Sequence, residues 1–146
     1  MTDAVLWDAL DWLLAELPGA VPQGVQVAEG WPGDDLAAEV LLVGKADLAH
    51  EWRTAGNLST GQREDTAIEC HVLVRKDGGT ATDVRRRVAE ISGAVASWLR
   101  QDLDHATLGG LVTWCVWEPV EWMPGVSDSA RDGALRCLLR FAALRK

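Results

Sequence analysis

The stretch "TAIECHVLVRKDGGTATDVRRRVAEISGAVASWL", residues 66–99, changes its period halfway, and that change decides the fold. Up to Lys76 the side chains alternate, with Ile68, Cys70, Val72 and Val74 on one side and Glu69, His71 and Arg75 on the other. Alternation of this kind marks a strand with one covered face. "DGGTATD" then breaks the chain and offers Thr82 or Asp83 as a helix cap. Beyond it Val84, Val88, Ile91, Val95, Trp98 and Leu99 recur in steps of three and four, with the three arginines 85–87 and Glu90 mostly on the opposite side. A strand and a helix that are each apolar on one side cover one another, and this is the seed of an α+β layer.

Working outward, Val5, Leu6, Ala9, Leu10, Leu13, Leu14 and Leu17 predict a first helix, capped by Thr2 or Asp3 and stopped by Pro18 and Gly19. "GVQVAEG" and "LAAEVLLVGKA" read as two short strands separated by the turn residues of "GWPGDD". The polar stretch from Lys45 to Asp65 has no period and reads as a long loop, a feature that is usually functional or disordered. After residue 99 come "DLDHATLGG", read as a loop, and two further strands, the last being "GALRCLLRFAALR" with Leu135, Cys137, Leu139 and Phe141 on one face. The predicted fold is therefore α+β, a mainly antiparallel sheet of about five strands with two helices packed on one face, in the order α-β-β-β-α-β-β. Residues 1–146 read as a single domain, a length that buries roughly 70% of its unfolded surface.

The segment "TWCVWEPVEW", residues 113–122, concentrates three of the eight tryptophans beside a proline. Val112, Trp114, Val116, Val120 and Trp122 share one parity, and Leu111, Cys115 and Trp117 share the other, so both faces are partly apolar. Proline confines such a strand to a sheet edge. Trp114 is expected to fill the space between sheet and helices, and Trp117, Trp122 and the following "MPGVSDSARDG" are expected at an interface, where aromatic residues concentrate.

Signals for chemistry are sparse. The net charge of −8 argues against nucleic acid or anionic lipid as the main partner. The N-terminal residues carry four acids and no basic start, so they read neither as a signal peptide nor as a membrane span. Cys70, Cys115 and Cys137 are odd in number and show no metal-ligand spacing, so they are expected to be reduced, buried thiols. Of the histidines, His71 faces outward on its strand, while His50 and His105 fall in loops. The acids are scattered among turns and helix ends, and no phosphate-binding loop is present. No catalytic residue, metal site or cofactor is predicted.

Several stretches together resemble the tail terminator (tail completion) proteins of long-tailed phages and related tail-like particles. The likeness covers nearly the whole chain. It rests on Arg63 and Glu64 before the middle strand, the valine-rich second helix, "LGGLV" ahead of the next strand, and a last strand ending in arginine. The resemblance implies a structural, non-enzymatic virion assembly protein. It would form a ring, typically a hexamer, that caps the tail tube, stops its polymerisation, and offers a surface for head-tail joining. The partners implied are further copies of the chain, the tail tube protein and the head-tail connector or neck protein, with DNA only as passing cargo and no membrane. The location implied is the virion tail or neck, with assembly in the host cytoplasm. The interface residues expected on this reading are Trp52, Arg53, Arg63, Glu64, Trp117, Glu118, Trp122, Met123 and Arg131. Two alternatives stand beside it: a neck or stopper protein of the same particle, and a small-molecule-binding or enzymatic α+β domain with the 45–65 loop as lid and His50, Glu51 or Arg53 as working groups.

Overall fold

The alternating residues from Ile68 to Val74 need a cover on one side only, and the chain supplies it with helices. The computed structural model describes residues 3–30, 37–47, 63–126 and 130–144. Its elements are helix α1 (Asp3–Glu16), a single 3-10 turn (Leu17–Gly19), strands β1 (Gln26–Glu29), β2 (Glu39–Asp47) and β3 (Arg63–Asp77), helix α2 (Ala81–Leu99), the short helix α3 (Leu103–Ala106), and strands β4 (Trp114–Val126) and β5 (Ala130–Leu144). The strands form one sheet in the order β1-β2-β3-β5-β4. Neighbours are antiparallel except for β1, which joins β2 in parallel with Gln26 opposite Val40.

The α+β reading, the strand number and the element order hold, with three corrections. The two early strands do not form an antiparallel pair, since β1 runs parallel to β2. The strands also reach further into the polar stretch than alternation alone suggested, leaving 48–62 outside the described residues. Finally, "DLDHATLGG" contains α3, in which the Asp102 side chain caps by accepting from the His105 N–H at 2.9 Å.

Burial follows the two periods. Leu6, Ala9, Leu10 and Leu13 of α1 and Val84, Val88, Ile91, Val95 and Leu99 of α2 close over Leu41 and Val43 of β2, Ile68, Cys70, Val72 and Val74 of β3, and Cys137, Leu139 and Phe141 of β5. Cross-strand register puts these strand residues on one face, for Leu41 pairs with Val72, Val43 with Cys70, and Cys70 with Cys137. The two helices meet at Trp12 and Trp98, whose rings lie 5.6 Å apart, and His105 stacks on Trp98 at 4.0 Å. Gly109 is required at this junction: its φ is +71°, and an added Cβ would lie 2.5 Å from the Trp12 indole nitrogen.

The start of α2 also corrects the sequence reading. Its cap is Thr80, not Thr82 or Asp83: the Thr80 hydroxyl accepts from the Asp83 N–H and the Asp83 carboxylate accepts from the Thr80 N–H, both at 3.1 Å. The reciprocal pair satisfies two backbone donors that the helix leaves open. A second tie is Arg87, which grips Glu39 at the start of β2 through two bonds of 2.7 and 2.9 Å and Glu90 through a third of 2.9 Å.

Two expectations about stability follow. An added Cβ at Gly133 would run into the Trp122 ring, so Gly133→Ala should cost about 1–3 kcal/mol in urea unfolding. The Trp fluorescence of the native state should shift with it. In the second case, hydrogen bonds from the Thr80 backbone and then its side chain hold the Asp83 carboxyl below its ordinary 3.8. A lowered folded value stabilises above the unfolded one and is lost as pH falls through the folded one. Asp83→Asn should therefore flatten the loss of stability below about pH 4, measured by melting temperature against pH.

Candidate assembly surface

β4 lies at the sheet edge, and its course is set by one irregularity. Residues Trp114 to Pro119 pair in order with Ala142 to Cys137, but Glu121 follows as the partner of Arg136, so Val120 is an extra residue in the strand. Such a bulge reverses which residues face which side. Trp117 and Trp122, of the same parity class only across the bulge, therefore both turn toward the helices, opposite Leu139 and Leu135. Trp114 and Val116 turn the other way.

This arrangement redistributes the expected roles. Trp117 is half-buried against the core, and its indole N–H donates to the Ser92 hydroxyl of α2 at 2.9 Å. Trp122 is half-buried over Gly133. Trp114 does not fill the space between sheet and helices as predicted. It is exposed on the open face, with Val116 beside it. Among the described residues six large hydrophobic side chains are exposed, and four of them sit on β4: Trp114 at 36%, Val116 at 48%, Val120 at 41% and Met123 at 38%. Trp114, Val116 and Val120 were missed as surface residues because both faces of the strand are partly apolar, so parity alone did not say which side was covered, and it was carried straight through Pro119 to group them with the inward Trp122. That proline, which cannot serve a ladder, was the available sign of a break in register.

Around these side chains the open face is polar and ordered by ion pairs. Glu118 accepts from Arg140 at 2.7 Å. Arg136 reaches Glu69 of β3 at 3.2 Å and Glu121 of β4 at 3.7 Å, tying three strands together on one face. His71 lies 3.9 Å from Glu69 on the same face, outward as expected. On β2 the face is closed, since Val40 and Leu42 are buried. At the far end, a groove of about 670 Å³ opens between Ala38, Leu73, Met123, Gly125 and Ala134, with Arg75 on its rim.

The remaining predicted interface residues are less concentrated. Arg131 lies half-buried at the start of β5, opposite Val126. Arg63 and Glu64 open β3 and pair with Leu144 and Ala143 in the ladder, far along the sheet from Met123 and Arg131. Trp52 and Arg53, with His50 and Glu51, lie outside the described residues. The structure thus brings Glu118 and Met123 to the exposed side of β4, Trp117 and Trp122 to its inner side, and gathers no single site from the seven of them that lie among the described residues.

Chemistry has little to work with here. Among the described residues no group of three or more His, Cys, Asp or Glu side chains could hold a metal ion, and no helix is long and apolar enough to cross a membrane. Burial pushes the thiols up: Cys70 far above its ordinary value, Cys137 to about 12 and Cys115 to about 11. Thiolate is the reactive form, so iodoacetamide at pH 8 should label the native chain at least ten times more slowly than the chain in urea, read by mass spectrometry.

No protein-family model matches the sequence, and no curated protein does. Among solved structures the chain is similar to one in the virion of a native gene transfer agent particle, at 15% identity, over 92% of each chain and with a TM-score of 0.42.

Proposed function

We propose that this chain is a structural virion assembly protein of the tail terminator type. It closes into a ring on the end of a tail tube, halts addition of tube subunits, and presents a surface to the head or its connector. The observation that carries the reading is the outward side of β4, an exposed apolar band on an edge strand. Large exposed apolar groups gathered on one element mark a protein contact. The sequence features shared with tail terminators, from the Arg63–Glu64 pair to the arginine at the end of the last strand, support the same conclusion.

The form of that contact is also constrained. Pro119 and Pro124 interrupt β4, and the bulge at Val120 bends it. An edge so interrupted is poorly suited to take on another strand. Contact on this side is therefore made by side chains: Trp114, Val116 and Met123, with Glu118 at the border. The inward Trp117 and Trp122 serve the same contact by fixing the strand from beneath, and Arg53, Trp52 and Arg131 remain contact residues of the proposed ring or its partners.

The test is growth of tail tubes from purified tube protein with and without this chain, with tube lengths and end structures read from negative-stain images. A terminator shortens tubes and leaves a cap at one end; tubes of unchanged length with bare ends would defeat the proposal. The double variant Trp114→Ser, Val116→Ser should lose capping by at least tenfold in effective concentration while its circular dichroism and melting temperature stay near those of the parent. Trp117→Ala should instead lower the melting temperature first, because it leaves a cavity and removes the indole's hydrogen bond to the Ser92 hydroxyl.

A further inference from the structure

We infer that the flank of α1 bearing Trp7 docks on the far flank of α2 in a second copy of this chain, a contact that rests on the ring reading and specifies how neighbouring subunits meet. Trp7 is 51% exposed, the most exposed aromatic among the described residues. Its place on α1 gives the direction. Trp12 leans inward against Trp98 of α2, and helical spacing puts Trp7, Asp11 and Leu14 on the opposite flank, turned away from α2.

The opposite side of the helix layer offers its complement. On α2, Trp98 and Arg87 look toward α1 and β2, whereas Ser92 looks toward β4 through its bond to Trp117. Continuing round the helix in that sense brings up Arg85, Ala89, Gly93, Ala96 and Arg100, a flank of small residues with an arginine at each end. Asp11, which shares the Trp7 flank of α1, and Arg85 and Arg100 on α2 have no ion-pair partner among the described residues. A flank with a projecting indole and the Asp11 carboxylate beside it thus stands on one side of the molecule, and a basic flank with a shallow centre stands on the other. Arginine at the edge of a docked indole also adds a cation–π attraction.

Gly93 supports this independently. It sits in the middle of an exposed helix, where glycine weakens the helix relative to alanine, and an added Cβ there would meet nothing within 4 Å. No packing inside the subunit accounts for its lack of a side chain, while the close approach of a large side chain from another copy does. Because the two flanks are different and lie at opposite sides of one layer, each copy uses one to reach the next. Contacts of that heterologous kind generate rings or filaments, not closed dimers.

Sedimentation velocity over a wide concentration range tests the contact, with circular dichroism to confirm that each variant is folded. Trp7→Ala and Gly93→Leu should each weaken association at least tenfold, and Gly93→Ala should raise the melting temperature of the monomer while weakening association less. Reversing Asp11 to Arg, or Arg85 and Arg100 to Asp, should weaken association alone, whereas the chain carrying all three reversals should regain it. Unchanged association in the single-flank variants, or no recovery in the combined swap, overturns the contact even if the parent caps tubes, in which case the ring reading stands without it. Association that follows these variants in a chain that never arrests tube growth keeps the contact and removes the terminator role. A parent monomeric at every concentration, and still so on tubes, overturns the contact.

Discussion

The apolar stripe of α2, Val84 through Leu99, has a single place to go, and its seat across β3, β5 and β4 is the constraint on which the remaining architecture depends. That stripe occupies one sheet face and leaves the other without a helix. Each end of α2 is then pinned by a polar device, the Thr80–Asp83 cap with Arg87 on Glu39 at its start and the Trp12–Trp98–His105 stack at its end. The hydroxyl of Ser92 sets the third point by holding the Trp117 indole, so the edge strand is oriented by the helix beneath it. With the inner face committed in this way, β4 turns Trp114, Val116 and Met123 outward.

How much of this could be read in advance depended on whether a residue's environment was local. The periods of β3, α2 and β5 were legible because burial on one side writes itself into spacing of two or of three and four. The parallel pairing of β1 was not, since nothing in "GVQVAEG" distinguishes a strand that turns back from one that is led round. Nor was the choice of Thr80 as cap, because several residues of "DGGTATD" have side chains able to accept that bond.

The surface was harder still. The outward place of Trp114 was not legible: read without a break the strand gives it the parity of Trp122, whereas the inserted Val120 puts the two on opposite faces, and a strand apolar on both sides gives no internal check on parity. Glu118 and Met123, expected at an interface with no side assigned, lie on the outward side of β4. Trp7 was passed over for a different reason. A tryptophan among leucines on an amphipathic helix reads as core, and only the position of Trp12 on the opposite flank shows which of the two faces inward.

The central ladder has a consequence for how the chain comes to be folded. β3 and β5 match residue for residue over fifteen consecutive pairs, and the paired residues are 53 to 81 positions apart in sequence. During synthesis β3 emerges well before its partner, and α2 can settle on it at once because only a three-residue break separates them. One edge of β3 must then wait for β5 while the residues between are made, and pairing over such separations is slow. For that interval β3 is a long strand with an unfilled side, open to any other strand in the vicinity. Early docking of α2 covers its apolar face during the wait, so the helix that orients the finished subunit is also the one that shelters the unfinished sheet.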